Sequence, residues 1–295
     1  MSVLQPCWVL GTAKIGIGSY GYSSGGKYNP SLETLLNKAN ELGFLGIDTA
    51  ESYGNAHAIL GTVFCKGERN FGVIDTKMSA ETLARVANKS LSSIDVVNNF
   101  LVTLNVSSIR TLYLHSEDEK YFSNPRLIEE LVTLKNMGLI QRIGVSAYSA
   151  DKIRAISRLG LYDVIQVPVN VGDIRAYQTA LEVFSGQIVA RSIFLQGTLL
   201  CPMELLDRHR FGKEICSFRC HLDRISRNCG ITTREMMVAF VARLVGGREV
   251  IISSSTAEGL VNICVAARCP ISIDTFDRLK DLALTEKEWT DPRTW

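Results

Sequence analysis

Short apolar runs rich in Val, Ile and Leu alternate along this chain with longer segments in which apolar residues recur every three or four positions. The runs are "WVLGTAK", "LGIDTA", "FGVIDTK", "TLYLH", "RIGVSAY", "VIQVPVN", "IVARSIF" and "VIISSS". Their near-continuous apolar character predicts strands buried on both faces, as in parallel sheets. The segments between them predict amphipathic helices with legible ends. Asn29-Pro30 caps a stripe of Leu32, Leu35, Leu36, Ala39 and Leu42 that stops at Gly43. Asn124-Pro125 repeats the device before Leu127, Ile128, Leu131 and Leu134, with Gly138 as the stop. Ile153, Ile156 and Leu159 come after Ser149 and end at Gly160. Thr232 and Glu235 have capping-box spacing ahead of "MMVAFVARLV". Alternation repeated eight times at even spacing predicts an α/β protein, a single (β/α)8 TIM barrel over residues 1–295. A mostly helical insertion is expected at 200–231. A doubly wound sheet would also alternate, but the count and spacing favour the barrel.

Composition narrows the classes. The chain has 295 residues, 46% of them apolar, and a net charge of +2, which gives no electrostatic drive toward nucleic acid or an anionic membrane. No window approaches the roughly 18 apolar residues of a membrane span. The start "MSVLQPCWVLG" lacks the layout of a signal peptide, so a cytoplasmic location and reduced thiols are expected for the eight cysteines. Cys216, Cys220, His221 and Cys229 do not predict a metal site. Cys229 falls at helical spacing with Ile215, Phe218, Leu222 and Ile225, whereas structural zinc favours tighter pairs. His57, Asp95, Glu129 and Glu130 are read as solvated helix positions, and Trp289 and Trp295 as anchors of the terminus.

The run "GIGSYG", residues 16–21, fits G-x-G-x-x-G, but a loop comes after it, not the helix that a dinucleotide-binding turn must open. Chemistry on a barrel belongs at the C-terminal strand ends. There the sequence presents Asp48 with Tyr53 just beyond it, then Lys77, then His115, from three consecutive strands. An ammonium beside a phenol stabilises the phenolate and lowers its pKa, a carboxylate keeps the ammonium charged, and an imidazole can hold a carbonyl oxygen. For Asp48 taken singly, capping of the next turn is an equal alternative.

These residues resemble the aldo-keto reductase superfamily. "GIDTAESYGN" is similar to its Asp-Thr-Ala…Tyr-Gly signature, "DTKMS" supplies Lys77, "TLYLHSED" contains His115 at its strand end, and "MGLIQRIGVSAYS" is similar to a further family segment. The resemblance implies a reductase of aldehydes or ketones that uses NADP(H) or NAD(H), with Tyr53 as general acid tuned by Lys77 and Asp48, and His115 orienting the substrate. It implies that Gly11 and Thr12 approach the nicotinamide and its ribose, and that Ser146 and Gln166 grip the carboxamide. Arg191, Ser192 and Phe194 in "ARSIFLQGTLL" would contact the cofactor, and Ser254 in "VIISSSTAEGLVNI" would lie near its phosphates.

The sequence also departs from the family pattern. Ala147 replaces a common Asn, and Arg191 stands where an aromatic residue usually stacks on the nicotinamide. Ser253 and Gly259 replace basic residues for the 2′-phosphate, and Asn262 is one residue out of register. This leaves the choice of cofactor open, with Arg248 or Arg268 as other sources of charge. The implied partner is a small carbonyl compound. Tyr20, Tyr22, Lys27, Tyr28, Lys120 and Tyr121 in flanking loops would suit a polar, sugar-like one. Two other classes stay open: a reductase-fold binding or regulatory protein, and a redox-neutral lyase or isomerase with Lys77 as a Schiff base.

Overall fold

The computed structural model describes residues 4–17, 31–65 and 72–295. Eight parallel strands close into a barrel in sequence order: β1 (Cys7–Gly11), β2 (Gly46–Asp48), β3 (Val73–Met78), β4 (Ile109–Leu114), β5 (Ile140–Ser146), β6 (Val164–Pro168), β7 (Gln187–Arg191) and β8 (Glu249–Ile252). β8 pairs with β1 from Cys7↔Glu249 to Leu10↔Ile252, which completes the ring. Helices surround it with their apolar stripes inward, so the larger core lies between helices and sheet.

The predicted helix signals act as local physics requires. Asn124 accepts a hydrogen bond from Leu127 N–H at the start of helix Pro125–Asn136. Thr232 and Glu235 form a reciprocal capping box at the start of helix Thr233–Val245. The Asn29-Pro30 cap lies outside the described residues; the helix it heads, Ser31–Glu41, is present. The expected insertion carries helix Gly212–Asn228, with Ile215, Leu222 and Ile225 buried and Cys229 just beyond its end. Among the described residues no three His, Cys, Asp or Glu side chains group as metal ligands, and no helix is long and apolar enough to cross a membrane.

Inside the barrel the period of two along each strand sorts side chains into three layers. At the N-terminal end, Arg110 pairs with both Asp75 and Glu249, and Arg142 bonds Thr111 and Gln187. The middle layer is apolar: Val9, Tyr113, Val164, Val189 and Ile251. Tyr113 fits because its β5 neighbour is Gly144, where a Cβ would collide with the phenol ring. The third layer, at the C-terminal end, holds Asp48, Lys77, Ser146, Gln166, Arg191 and Ser253. The fold therefore gathers polar groups from β2, β3, β5, β6, β7 and the end of β8 over an apolar floor.

Candidate active site at the C-terminal rim

Lys77 is 1% exposed, so its ammonium must be matched by nearby oxygen atoms. It donates to Asp48 Oδ1 at 2.5 Å and to the Thr49 carbonyl at 2.9 Å. Asp48, 4% exposed, takes a second bond on Oδ2 from Gln166 Nε2 at 3.0 Å. Asp48 is thus the counter-ion of a buried lysine, a role well beyond capping a turn. Burial pushes its carboxyl upward, and the Lys77 charge pulls it back.

Tyr53 lies above this pair, with Lys77 Nζ 5.0 Å from its ring centroid. The phenol is pushed up, first by burial and then by the Asp48 charge; Arg191 works the other way. This reverses the expected lowering by Lys77. The ammonium is already committed to Asp48 and Thr49, so the carboxylate it neutralises still opposes a phenolate. The Tyr53 loop is seated by backbone contact: a Cβ on Gly16 would strike the Tyr53 carbonyl and Ala56 N, and Gly54, at φ +53°, faces the Gly16 carbonyl. Gly16 therefore serves close packing; residues 18–21 of "GIGSYG" lie outside the described residues.

His115 meets Tyr53 edge to face at 5.8 Å between ring centroids. Its Nδ1 hydrogen-bonds Ser52 Oγ at 3.1 Å, a partner in the "ESYGN" loop that no sequence signal marks. Burial, then Lys77 and Arg191, push its pKa down to about 3, so the imidazole is neutral at physiological pH.

A cleft of about 480 Å³ runs from Asp48, Tyr53 and Gln166 past Gly11 and Thr12 to Ser254 and Gly259. Arg191, Ser192 and Phe194 line it as well, whereas Ser146 and His115 line a separate cavity of about 400 Å³ with Tyr148, Lys152 and Arg293. Tyr53 and His115 stand at the junction of the two. The loop residues expected to suit a sugar-like substrate fare less well. Tyr121 is buried, Lys120 pairs with exposed Asp118, and Tyr20, Tyr22, Lys27 and Tyr28 lie outside the described residues.

Several side chains have fixed local duties. Thr12 donates to the Asp48 carbonyl at 3.1 Å, Ser253 to the Gly11 carbonyl at 2.9 Å, and Ser254 to the Thr256 carbonyl at 2.8 Å. The Arg191 guanidinium lies over the Tyr148 ring at 4.1 Å, and Arg293 lies over the same ring at 4.2 Å. Arg293 also pairs with Glu117, which accepts from Tyr148 N–H and Ser149 N–H, so the C-terminal segment is tied across the second cavity. His57 is not the solvated residue expected: it is buried, bonds Thr76 Oγ1 at 2.9 Å and packs on Phe100.

Two observations fit a nicotinamide dinucleotide. Gln166 Oε1 is buried without a hydrogen-bond partner, and Gln166 lines the cleft, so it offers an acceptor to a carboxamide N–H. Of five described non-glycine residues with positive φ, Ser192, Leu195 and Gln196 fall in one short cleft-side stretch. Such strain, about 1–3 kcal/mol each, gathers at ligand clamps.

The fold and rim define a TIM-barrel protein with an acid–base cluster at the C-terminal strand ends. The chain belongs to the aldo/keto reductase family, whose model matches residues 9–284. One curated relative, the NADH-specific methylglyoxal reductase of Escherichia coli (strain K12), is 27% identical over 192 residues; the match spans 57% of this chain and 58% of that relative's length. Among solved structures, an aldo-keto reductase from Klebsiella pneumoniae in complex with NADPH superposes with a TM-score of 0.69 at 18% identity, covering 98% of each chain. A thermostable aldo-keto reductase with the inhibitor epalrestat gives 0.67 at 22% identity, covering 94% of this chain and 95% of that one. These likenesses show the shared barrel.

Proposed function

We propose that this chain reduces a small aldehyde or ketone to the alcohol with a nicotinamide dinucleotide. The observation that carries the reading is the Asp48–Lys77–Tyr53–His115 cluster at the junction of the two cavities. When bound, the reduced nicotinamide supplies the hydride. Tyr53 donates its proton to the carbonyl oxygen. Burial keeps that proton in place until negative charge develops on the substrate, and the Arg191 charge, which pulls the phenol down, favours the phenolate left behind. His115, neutral and hydrogen-bonded at Nδ1 to the Ser52 hydroxyl, orients the same oxygen through its ring. Asp48 holds the Lys77 ammonium in register, and Gln166 steadies Asp48.

Commitment of the buried Lys77 amine to two oxygens argues against its use as a Schiff-base nucleophile. Gln166 Oε1 supports binding of the carboxamide. Ser253 and Gly259, in place of basic residues, favour NADH as the physiological partner. The test is Tyr53→Phe, assayed with methylglyoxal and simple aldehydes by nicotinamide absorbance. Loss of a general acid predicts a fall in kcat of about 10²–10⁴-fold, with binding of NADH unchanged. Full activity in that variant would refute the mechanism.

A further inference from the structure

Lys14 lies just past β1 and Arg234 in the first turn of helix Thr233–Val245, far apart in sequence, yet both line the same cleft. Among the described residues, no hydrogen bond or ion pair joins either to a partner, and no carboxylate neutralises Lys14. Burial, then the Arg234 charge, push the Lys14 ammonium down. Two like charges lining one cleft disfavour each other until an anion lies between them.

The far part of the cleft has the opposite character. Ser254, Thr256 and Gly259 line it where helix Ala257–Ala266 begins, and the first turn of that helix carries acidic Glu258. The Ser253 and Ser254 hydroxyl protons are engaged by backbone carbonyls. Arg268 lies just beyond the other end of the helix. Lys14 and Arg234 thus bring basic charge to the part of the cleft next to Gly11 and Thr12, away from the segment where a 2′-phosphate would be read.

We propose that Lys14 and Arg234 form a cation clamp for the diphosphate bridge of the cofactor, so that the chain holds the dinucleotide by the part NADH and NADPH share. This clamp rests on the dinucleotide reading of the cleft. Gly11 and Thr12 are the residues assigned to the nicotinamide half, and Lys14 comes within one turn of them, which matches the central bridge in position. Each cation is a singly charged donor on a long stem, and salt should weaken the contact.

The test is titration of wild type, Lys14→Met, Arg234→Met, Arg234→Lys and Arg268→Met with NADH, NADPH and ADP-ribose, read by fluorescence and calorimetry. Loss of one charge-assisted contact predicts about tenfold weaker binding of all three ligands in either Met variant at positions 14 and 234. Arg234→Lys should retain most of the affinity, Arg268→Met all of it, and melting temperatures should stay at the wild-type value. The salt dependence of NADH affinity should be shallower in Lys14→Met and Arg234→Met. Wild-type affinity for NADH in those two variants would overturn the clamp alone. Weakening confined to NADPH would overturn it in favour of a 2′-phosphate site. Failure of the wild-type protein to bind any of the three ligands would overturn both the clamp and the dinucleotide reading.

Discussion

Lys77→Met isolates the buried ion pair. In the folded protein Lys77 and Asp48 are 1% and 4% exposed and 2.5 Å apart, with Gln166 as the other partner of the carboxylate. Methionine keeps the volume and removes the charge, which leaves Asp48 buried against one amide. Breaking a buried pair from one side costs about 3–5 kcal/mol, a large part of a typical stability of about 5–15 kcal/mol. The pH dependence has a definite sign. Burial already raises Asp48, and Lys77 is the main influence that lowers it, so in the variant the folded-state value rises further. A raised carboxyl contributes most below its unfolded value of about 4 and loses that contribution as pH climbs through the folded value. The deficit of Lys77→Met should therefore be smallest in acid and grow toward neutral pH. Asp48→Asn added to it should recover much of the loss, because no lone charge remains. Urea denaturation tracked through the buried Trp8 and Trp289 gives all four corners of the cycle. Additivity of the two single variants within about 0.5 kcal/mol would refute a coupled buried pair.

The same packing has other consequences. His115 and His57, pushed down by burial to about 3 and about 4, bind fewer protons folded than unfolded. Stability they confer is complete above about pH 6.5 and falls in acid by up to ~1.4 kcal/mol per pH unit for each. His57→Gln should reduce that acid-side slope in denaturation curves measured from pH 7 to pH 4. Gly16→Ala places a methyl group against the Tyr53 carbonyl, so a loss of about 1–3 kcal/mol with a drop in kcat is expected; a wild-type kcat and melting curve would show that this contact does not seat the loop. Arg110→Met leaves Asp75 and Glu249 without their shared guanidinium and should cost about 3–5 kcal/mol by chemical denaturation, with a near-neutral result refuting the network as a stabilising unit.

The strands are legible in the sequence because parallel barrel strands are apolar on both faces, and their ends because a polar residue closing an apolar run is conspicuous. Asp48, Lys77 and His115 stand out in this way. What the linear pattern hides depends on partners distant in the chain. Arg110 reaches Glu249 across 139 positions, and nothing local distinguishes either from a surface charge. His57 looks solvated in sequence because it is a polar residue at the very start of its helix; the β3 residue Thr76 and Phe100, both distant in the chain, give it a buried setting. The acidity of Tyr53 takes the wrong sign from sequence because its environment is a sum: the motif displays the lysine, while the geometry adds desolvation and the carboxylate that the lysine already serves. Lys14 and Arg234 escape notice for the same reason, since their meaning lies in lining one cleft.

The apolar middle layer of the barrel separates two groups of charges without insulating them. A poorly polarisable layer transmits an electric field more readily than water does. Asp75, at the closed end, is already among the influences that raise Asp48 at the open end. Arg110 and Arg142 offset that field near its source. The ion cluster under the floor thus acts as electrical ballast for the rim. A substitution at the sealed end of the barrel that exposes the charge of Asp75 would change proton affinities at the mouth, through the interior of the protein and with no movement of the residues between.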